Sequence, residues 1–114
     1  MTIRKITLPN GNVEYRNEFG ELHNPEVPAK VTTAGTEYRI NGLLHREGDK
    51  PAIEEGADGT KRWYKNGQLH RDGDKPAIDW ASGDKEWYKN GQLHRDGDKP
   101  AIEWASGTKK WYKE

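Results

Sequence analysis

"WYKNGQLHRDGDKPAI" spans Trp63 to Ile78 and occurs again, letter for letter, from Trp87 to Ile102. The two surrounding copies, residues 66–89 and 90–113, differ at three of 24 positions: Asp79/Glu103, Asp84/Thr108 and Glu86/Lys110. A repeat of roughly 20 to 50 residues is typical of arrays in which one supersecondary unit stacks on the next. The sequence therefore predicts a repeat protein whose units bury their aromatic faces against one another.

Each copy contains the signature of a β-hairpin. Asn90-Gly91 is flanked by short segments rich in aromatic and aliphatic residues. Asn-Gly readily adopts the positive φ values that a two-residue type I′ turn requires. The predicted cross-strand pairs are Lys89 with Gln92, Tyr88 with Leu93 and Trp87 with His94.

A second turn lies between Trp80 and Lys85, with the sequence Ala-Ser-Gly-Asp. A two-residue or a four-residue loop there pairs Trp80 with Lys85 and Ile78 with Trp87. Because side chains alternate along a strand, this register places Ile78, Trp80, Trp87 and His94 on one face. The link at residues 71–75 is expected to act as a five-residue loop between strands.

The same pattern continues upstream with decreasing clarity. Residues 41–65 form a third copy, 17–40 a degenerate copy and 1–16 an N-terminal half unit, while the last unit occupies 90–114. No stretch has a helical period, and glycine recurs every eight to twelve residues. We therefore predict an all-β fold, an elongated antiparallel β-hairpin repeat array formed as a meander or a single coiled sheet.

The composition narrows the class of protein. Apolar residues make up 31% of the chain, but five Trp and five Tyr supply large rings, and 19 acidic residues balance 19 basic ones. The absence of a basic stripe argues against nucleic-acid binding. No cysteine, secretory signal or apolar run of membrane-spanning length is present, so we expect a cytoplasmic protein without disulfides.

Few residues suggest chemistry beyond binding. The four histidines recur in register, yet adjacent units would hold them too far apart for one metal ion, and we expect each to pack on the tryptophan of its own hairpin. Asp72-Gly73-Asp74 lacks the spacing of a calcium loop and is expected to be a solvated turn, with Arg71 pairing to Asp74 or Asp79. Since repetition disfavours a single asymmetric active site, we predict neither an enzyme nor a metal or cofactor.

The stretch Trp63-Tyr64, Asn66-Gly67, Leu69-His70-Arg71, Gly73 and Pro76-Ala77 resembles the variant MORN repeat, an antitoxin-type repeat of bacteria. It is also similar to repeats of phage and large-virus proteins. The resemblance implies an extended antiparallel sheet used for binding. It further implies an accessory or anti-defence protein that binds and inhibits a bacterial host protein.

We therefore expect a non-enzymatic protein-binding module. The candidate partner contacts are the repeated residues that turns do not require: His70, Arg71, Trp80, His94, Arg95 and Trp104. A homodimer through edge strands or aromatic faces is a further expectation. The alternatives are an aromatic repeat that binds carbohydrate or choline through displayed tryptophans, and a structural spacer.

Overall fold

The computed structural model describes residues 2–56 and 58–111, and this part of the chain consists of β-strands and turns without a helix. It accordingly contains no helix that could cross a membrane. The molecule measures 46 × 27 × 18 Å, with a radius of gyration of 15.7 Å. A compact domain of this length has a radius of about 13 Å. The predicted elongated, all-β hairpin array is confirmed.

The strands are short and follow one another at regular intervals. In chain order they are β1 (Arg4–Thr7), β2 (Val13–Arg16), β3 (Lys30–Thr32), β4 (Gly35–Glu37), β5 (Arg39–Ile40), β6 (Leu43–Leu44), β7 (Ile53–Glu55), β8 (Lys61–Arg62), β9 (Tyr64–Lys65), β10 (Gln68–Leu69), β11 (Ile78–Asp79), β12 (Lys85–Glu86), β13 (Tyr88–Lys89), β14 (Gln92–Leu93), β15 (Ile102–Glu103) and β16 (Lys109–Lys110). Ten of them form one antiparallel sheet in the order β1-β2-β3-β4-β7-β8-β11-β12-β15-β16. The sheet is a meander, since no strand in it crosses over another.

The remaining six strands form three two-stranded hairpins, β5–β6, β9–β10 and β13–β14, which we call the ribbons. The ribbons lie in the connections from β4 to β7, from β8 to β11 and from β12 to β15. Each ribbon turns at Asn-Gly. The turn residues Asn41, Asn66 and Asn90 have φ values of 48°, 50° and 52°, as a type I′ turn requires. Tyr88 pairs with Leu93 and Lys89 with Gln92, so the predicted ribbon register is confirmed.

An aromatic residue forms the corner between each sheet strand and its ribbon. The Trp87 N–H donates to the carbonyl of Ala101 at 2.8 Å, and the Trp87 carbonyl accepts from the His94 N–H at 3.0 Å. Tyr38 and Trp63 make the same two bonds in the repeats before it. The predicted pairing of Trp87 with His94 therefore exists, as a backbone hydrogen bond at this corner.

The predicted register of the second turn is wrong by one residue. Ile78 pairs with Glu86 and Asp79 with Lys85, so the loop has three residues and is closed by a hydrogen bond from the Trp80 N–H to Asp84. The third loop residue, Gly83, has φ 95°, which is characteristic of a three-residue hairpin loop. Because a one-residue shift exchanges the two faces of a strand, Ile78 shares its face with Glu86 and not with Trp87.

The link expected as a five-residue loop at residues 71–75 is longer, since β10 ends at Leu69 and β11 begins at Ile78. β10 pairs with the ribbon strand β9, whereas β11 pairs with β8 and β12 in the sheet. The link returns the chain from ribbon to sheet, and Arg71 closes it by donating from Nη1 to the carbonyl of Pro76 at 3.1 Å. A side chain thus replaces the backbone pairing that a hairpin would have supplied.

The core is a narrow seam along the base of the ribbons. One alanine from each repeat is fully buried there: Ala29, Ala52, Ala77 and Ala101. Trp63 and Trp87 are 8% and 6% exposed, which confirms for these two rings that tryptophan forms the core. Trp111 is 52% exposed. The small alanines let neighbouring backbones approach, and the two large rings fill the space beside them.

Candidate functional site

Adjacent repeats are joined first through their ribbons. The amide of Gly67 at one ribbon turn donates to the carbonyl of Leu44 in the preceding ribbon at 2.8 Å, and Gly91 donates to Leu69 at 2.9 Å. An isolated hairpin would leave these turn amides in water. Here each turn is attached to the strand end of the repeat before it.

The histidines make the second contact between repeats. Nδ1 of His70 accepts a hydrogen bond from the backbone N–H of Asn90 at 3.1 Å, and His45 accepts from Asn66 in the same way. Since Nδ1 is the acceptor, Nε2 carries the proton and donates to Asp72 at 2.8 Å. This hydrogen bond lowers the pKa of the Asp72 carboxyl. Each imidazole therefore connects its own loop to the next ribbon turn.

The arginines make the third contact. The guanidinium of Arg71 lies 3.7 Å from the centre of the Trp63 ring, and its Nε donates at 2.9 Å to Asp49 of the preceding loop. Lys75 reaches the other oxygen of Asp49 at 2.8 Å. Hydrogen bonds from Arg71 and then Lys75 lower the pKa of Asp49 to about 2.

The next repeat makes the same set of contacts, since Arg95 stacks on Trp87 at 3.8 Å and binds Asp74 together with Lys99. The pKa of Asp74 is also lowered, chiefly by its hydrogen bond from Arg95.

These contacts locate four of the six predicted binding residues. The side chains of His70, Arg71, His94 and Arg95 are only 10–18% exposed and lie in the contacts within and between repeats. Arginine covers the tryptophan ring in both repeats. The expected pairing of Arg71 with Asp74 or Asp79 is wrong, because the carboxylate that it binds is Asp49 of the preceding repeat. Recurrence of the His-Arg pair is explained by assembly of the array.

The other two predicted residues, Trp80 and Trp104, are partly exposed on one face of the sheet, which we call the tryptophan face. Register places a continuous row of side chains on this face: Arg62, Ile78, Glu86, Ile102 and Lys110. The Arg62 guanidinium lies 5.0 Å from the Trp80 ring centre, and Trp80 Nε1 donates to Glu86 at 2.7 Å. Trp80 and Trp104 follow strands two places apart in the sheet, so the backbones of these strands are separated by roughly 10 Å.

The opposite face carries a row of alternating charge that the sequence reasoning missed. Directly paired residues across six consecutive strands are Glu54, Lys61, Asp79, Lys85, Glu103 and Lys109. Lys85 approaches Asp79 to 3.0 Å. The sequence does contain this pattern, because an acidic residue follows each Pro-Ala-Ile and a lysine precedes each following aromatic pair. Predicting that these residues pair across strands required the correct length of the turn between them. The other acids of the row pair with arginines, Glu54 with Arg46 at 3.6 Å and Glu103 with Arg95 at 2.8 Å.

A groove of about 400 Å³ lies between the loops of repeats 66–89 and 90–114. It is lined by Trp87 and by charged groups that include Asp74, Arg95 and Lys99, three residues that bind one another. Within residues 2–56 and 58–111, no three histidine or carboxylate groups come together as a metal site. The groove is a consequence of the contacts between repeats.

Comparison of this chain with protein-family models gives no match, and neither curated proteins nor solved structures give a significant one.

Proposed function

We propose that this chain is a non-enzymatic protein-binding module whose tryptophan face contacts the partner. The observation that supports this most is the unequal use of the repeated residues. The His-Arg pairs are used in hydrogen bonds and ion pairs within and between repeats, whereas Trp80 and Trp104 are partly exposed on the tryptophan face. Tryptophan is strongly enriched among the residues that dominate binding energy at protein interfaces.

The sheet gives these two rings a fixed geometry. Trp80 is held by Arg62 on its face and by Glu86 at its indole nitrogen, so little side-chain freedom is lost when a partner covers it. Following the resemblance to variant MORN repeats, we take the partner to be a bacterial host protein in the cytoplasm, which this chain inhibits as a phage or mobile-element accessory protein.

A homodimer would use the same face in preference to the sheet edges. The outer strands β1 and β16 carry basic residues, namely Arg4, Lys5, Lys109 and Lys110. Symmetric pairing of either edge would oppose like charges, which destabilises strand pairing.

The second candidate function is binding of carbohydrate or choline. Two partly exposed tryptophans that follow strands roughly 10 Å apart are a suitable platform for stacking on sugars or for holding a quaternary ammonium group. This alternative predicts that tryptophan fluorescence shifts when a soluble glucan or choline is added to the pure protein. The protein-binding proposal predicts no such shift.

The test is capture of a stoichiometric protein from bacterial lysate by the immobilised intact chain. We expect the variant Trp80→Ala/Trp104→Ala to lose the captured protein. The matched control is Gln68→Ala/Gln92→Ala, which changes two exposed ribbon residues at the same repeat spacing and should bind normally. Circular dichroism and the unfolding midpoint of each variant establish that both still fold.

Two results would contradict the proposal. Equal capture by the tryptophan variant and the intact chain would show that the contact lies elsewhere. No captured protein, combined with a ligand-dependent fluorescence shift, would favour the carbohydrate or choline alternative.

A further inference from the structure

In the described part of the chain, three arginines lie over a tryptophan ring, and each of them also binds a carboxylate. The three groupings are Arg71 with Trp63 and Asp49, Arg95 with Trp87 and Asp74, and Arg62 with Trp80 and Glu55. A planar guanidinium suits both partners, because it stacks on the indole while its N–H groups donate to the carboxylate. A tryptophan ring beside a carboxylate is therefore the setting in which this protein holds arginine.

Trp104 is a partly exposed tryptophan whose ring is not covered in this way. Within residues 2–56 and 58–111, no cation lies over it. Trp80 is covered from the neighbouring strand β8, where Arg62 pairs with Ile78. The corresponding neighbour of β15 is β12, which carries Glu86 in the place of that arginine. The cation that would cover Trp104 is thus replaced by an acid.

Two carboxylates lie on the β12 side of Trp104. Glu86 pairs with Ile102, and extending this register by two residues places Asp84 opposite Trp104. The N–H of Ala105 donates to Asp84 Oδ1 at 2.7 Å, which joins the two strands at this point. Because residues two apart along a strand share a face, both acids belong to the tryptophan face.

Neither carboxylate forms an ion pair within the described residues. Glu86 accepts from two neutral donors, Trp80 Nε1 at 2.7 Å and the Tyr88 hydroxyl at 2.9 Å, and the donor to the Asp84 carboxylate is a backbone N–H. By contrast, each acid in the row on the opposite face is paired with a lysine or an arginine. A carboxylate has about four acceptor positions, so both acids can still accept from a guanidinium.

Among the last three copies of the repeat, only one carries this pair of acids. Positions 84 and 86 correspond to Thr60 and Arg62 in the copy before and to Thr108 and Lys110 in the copy after. Lys110 takes part in an interaction within the chain, and its strand lies on the other side of β15 from β12. The acids therefore lie on the strand between the two strands that precede the tryptophans.

Resting on the proposed protein-binding function, we propose that Trp104, Asp84 and Glu86 bind an arginine side chain of the partner protein. Its guanidinium stacks on the Trp104 ring and donates to the two carboxylates, as the chain's own arginines do between a tryptophan and an acid. Trp80 is already covered by Arg62, so the new contact is made by Trp104. The charge of the ligand is complementary to the two acids.

The test follows the indole N–H signals of the intact, isotope-labelled protein in two-dimensional NMR. The probe is a capped hexapeptide of alternating arginine and serine. The same peptide with citrulline, which is similar in shape to arginine but uncharged, is the neutral probe. We expect the arginine peptide to shift the Trp104 signal, while the buried Trp63 and Trp87 stay unchanged. The citrulline peptide should leave Trp104 unchanged at the same concentration.

Asp84→Asn removes one charge from the site and keeps the oxygen that accepts from the Ala105 N–H. Loss of one partly exposed ion pair should weaken binding of the arginine peptide about fivefold. Asp79→Asn is the matched control, because it makes the same charge change on the opposite face of the same hairpin and should leave the affinity nearly unchanged. Equal losses in the two variants would show that only net charge matters and would overturn the proposal.

Other probes separate arginine from other cations. Equal affinity for the corresponding lysine peptide would show that a point charge is sufficient. A shift of Trp104 by choline but not by the arginine peptide would assign the ring to a quaternary ammonium ligand. Either result, or no shift of Trp104 by the arginine peptide, would overturn the proposal.

The lysate experiment distinguishes failure of this site from failure of the protein-binding function. Equal capture by the intact chain and Asp84→Asn, with loss in Trp80→Ala/Trp104→Ala, would leave protein binding standing and refute the arginine contact. An Asp84-dependent shift of Trp104 without any captured protein would support the cation site and contradict the protein-binding function. Reduced capture by Asp84→Asn but not by Asp79→Asn, together with the Trp104 shift, supports both.

Discussion

At the scale of single residues, the repeated polar side chains of this protein mainly hold the repeats together. His70 connects its own loop to the next ribbon turn through Asn90, and Arg71 connects the Trp63 ring to Asp49 of the repeat before it. Asn90 lies outside the hairpin that contains His70, and Asp49 lies outside the hairpin that contains Arg71. Sequence inspection identified these residues as special because they recur, but recurrence alone does not distinguish an assembly contact from a partner contact.

The loop aspartates provide a direct stability test with an internal control. We expect Asp49→Asn/Asp74→Asn to lower the unfolding free energy at neutral pH, by about 1 kcal/mol or less per pair because the carboxylates are partly exposed. Asp98→Asn changes the corresponding loop of the last repeat, where no following arginine is available among the described residues. Urea denaturation should show a smaller effect for Asp98→Asn, and equal effects would contradict the role assigned to the ion pairs.

The pKa of these carboxylates determines how the stability difference between the intact chain and the Asp49→Asn/Asp74→Asn variant depends on pH. The folded-state pKa of Asp49 lies at about 2, below its ordinary value of 3.8. A lowered folded-state pKa means that the ion pair contributes its full stability above the unfolded value and loses it as pH falls through the folded value. The midpoints of the intact chain and the Asp49→Asn/Asp74→Asn variant should therefore converge between about pH 5 and pH 2. A difference that stays constant down to pH 2 would exclude these carboxylates as its source.

At the scale of the hairpin, turn chemistry decided which predictions succeeded. Asn-Gly allows essentially one tight hairpin turn, and its predicted pairs Tyr88–Leu93 and Lys89–Gln92 are present. The Ala-Ser-Gly-Asp turn admits loops of two, three or four residues. The expected loops of two or four residues would pair Ile78 with Trp87, whereas the three-residue loop pairs Ile78 with Glu86. The positive φ of Gly83 identifies the three-residue loop, but the sequence shows only that this position is a glycine.

A pair of substitutions at Gly83 tests this loop. With φ at 95°, a β-branched residue is strained, so Gly83→Val should lower the unfolding free energy by about 1–2 kcal/mol. Gly83→Asn should cost clearly less, because asparagine tolerates positive φ. Thermal denaturation of both variants measures the difference. Equal stability of the two would contradict the three-residue geometry.

At the scale of the whole molecule, stability comes from the stacking of repeats. A two-stranded hairpin is marginally stable by itself, and each ribbon here has only two residues per strand. The repeats gain their core from the buried alanines and from Trp63 and Trp87, and they are joined by the glycine, histidine and arginine contacts. The all-β class and the elongated hairpin array were predictable, because periodicity encodes them. The contacts between repeats were not, because they join residues whose proximity depends on the turn lengths.

The most direct test of this stacked array is amide hydrogen exchange at the ribbon turns of the intact protein. The amides of Asn66, Gly67, Asn90 and Gly91 lie at turn tips, where an isolated hairpin would expose them, yet each donates to the preceding repeat. We predict that they exchange only through unfolding of the array, as slowly as the core amide of Ala77. Exchange of these four amides at the rate of exposed loops would show that the repeats do not stack through histidine and leucine, and would contradict the account of the fold and its binding face.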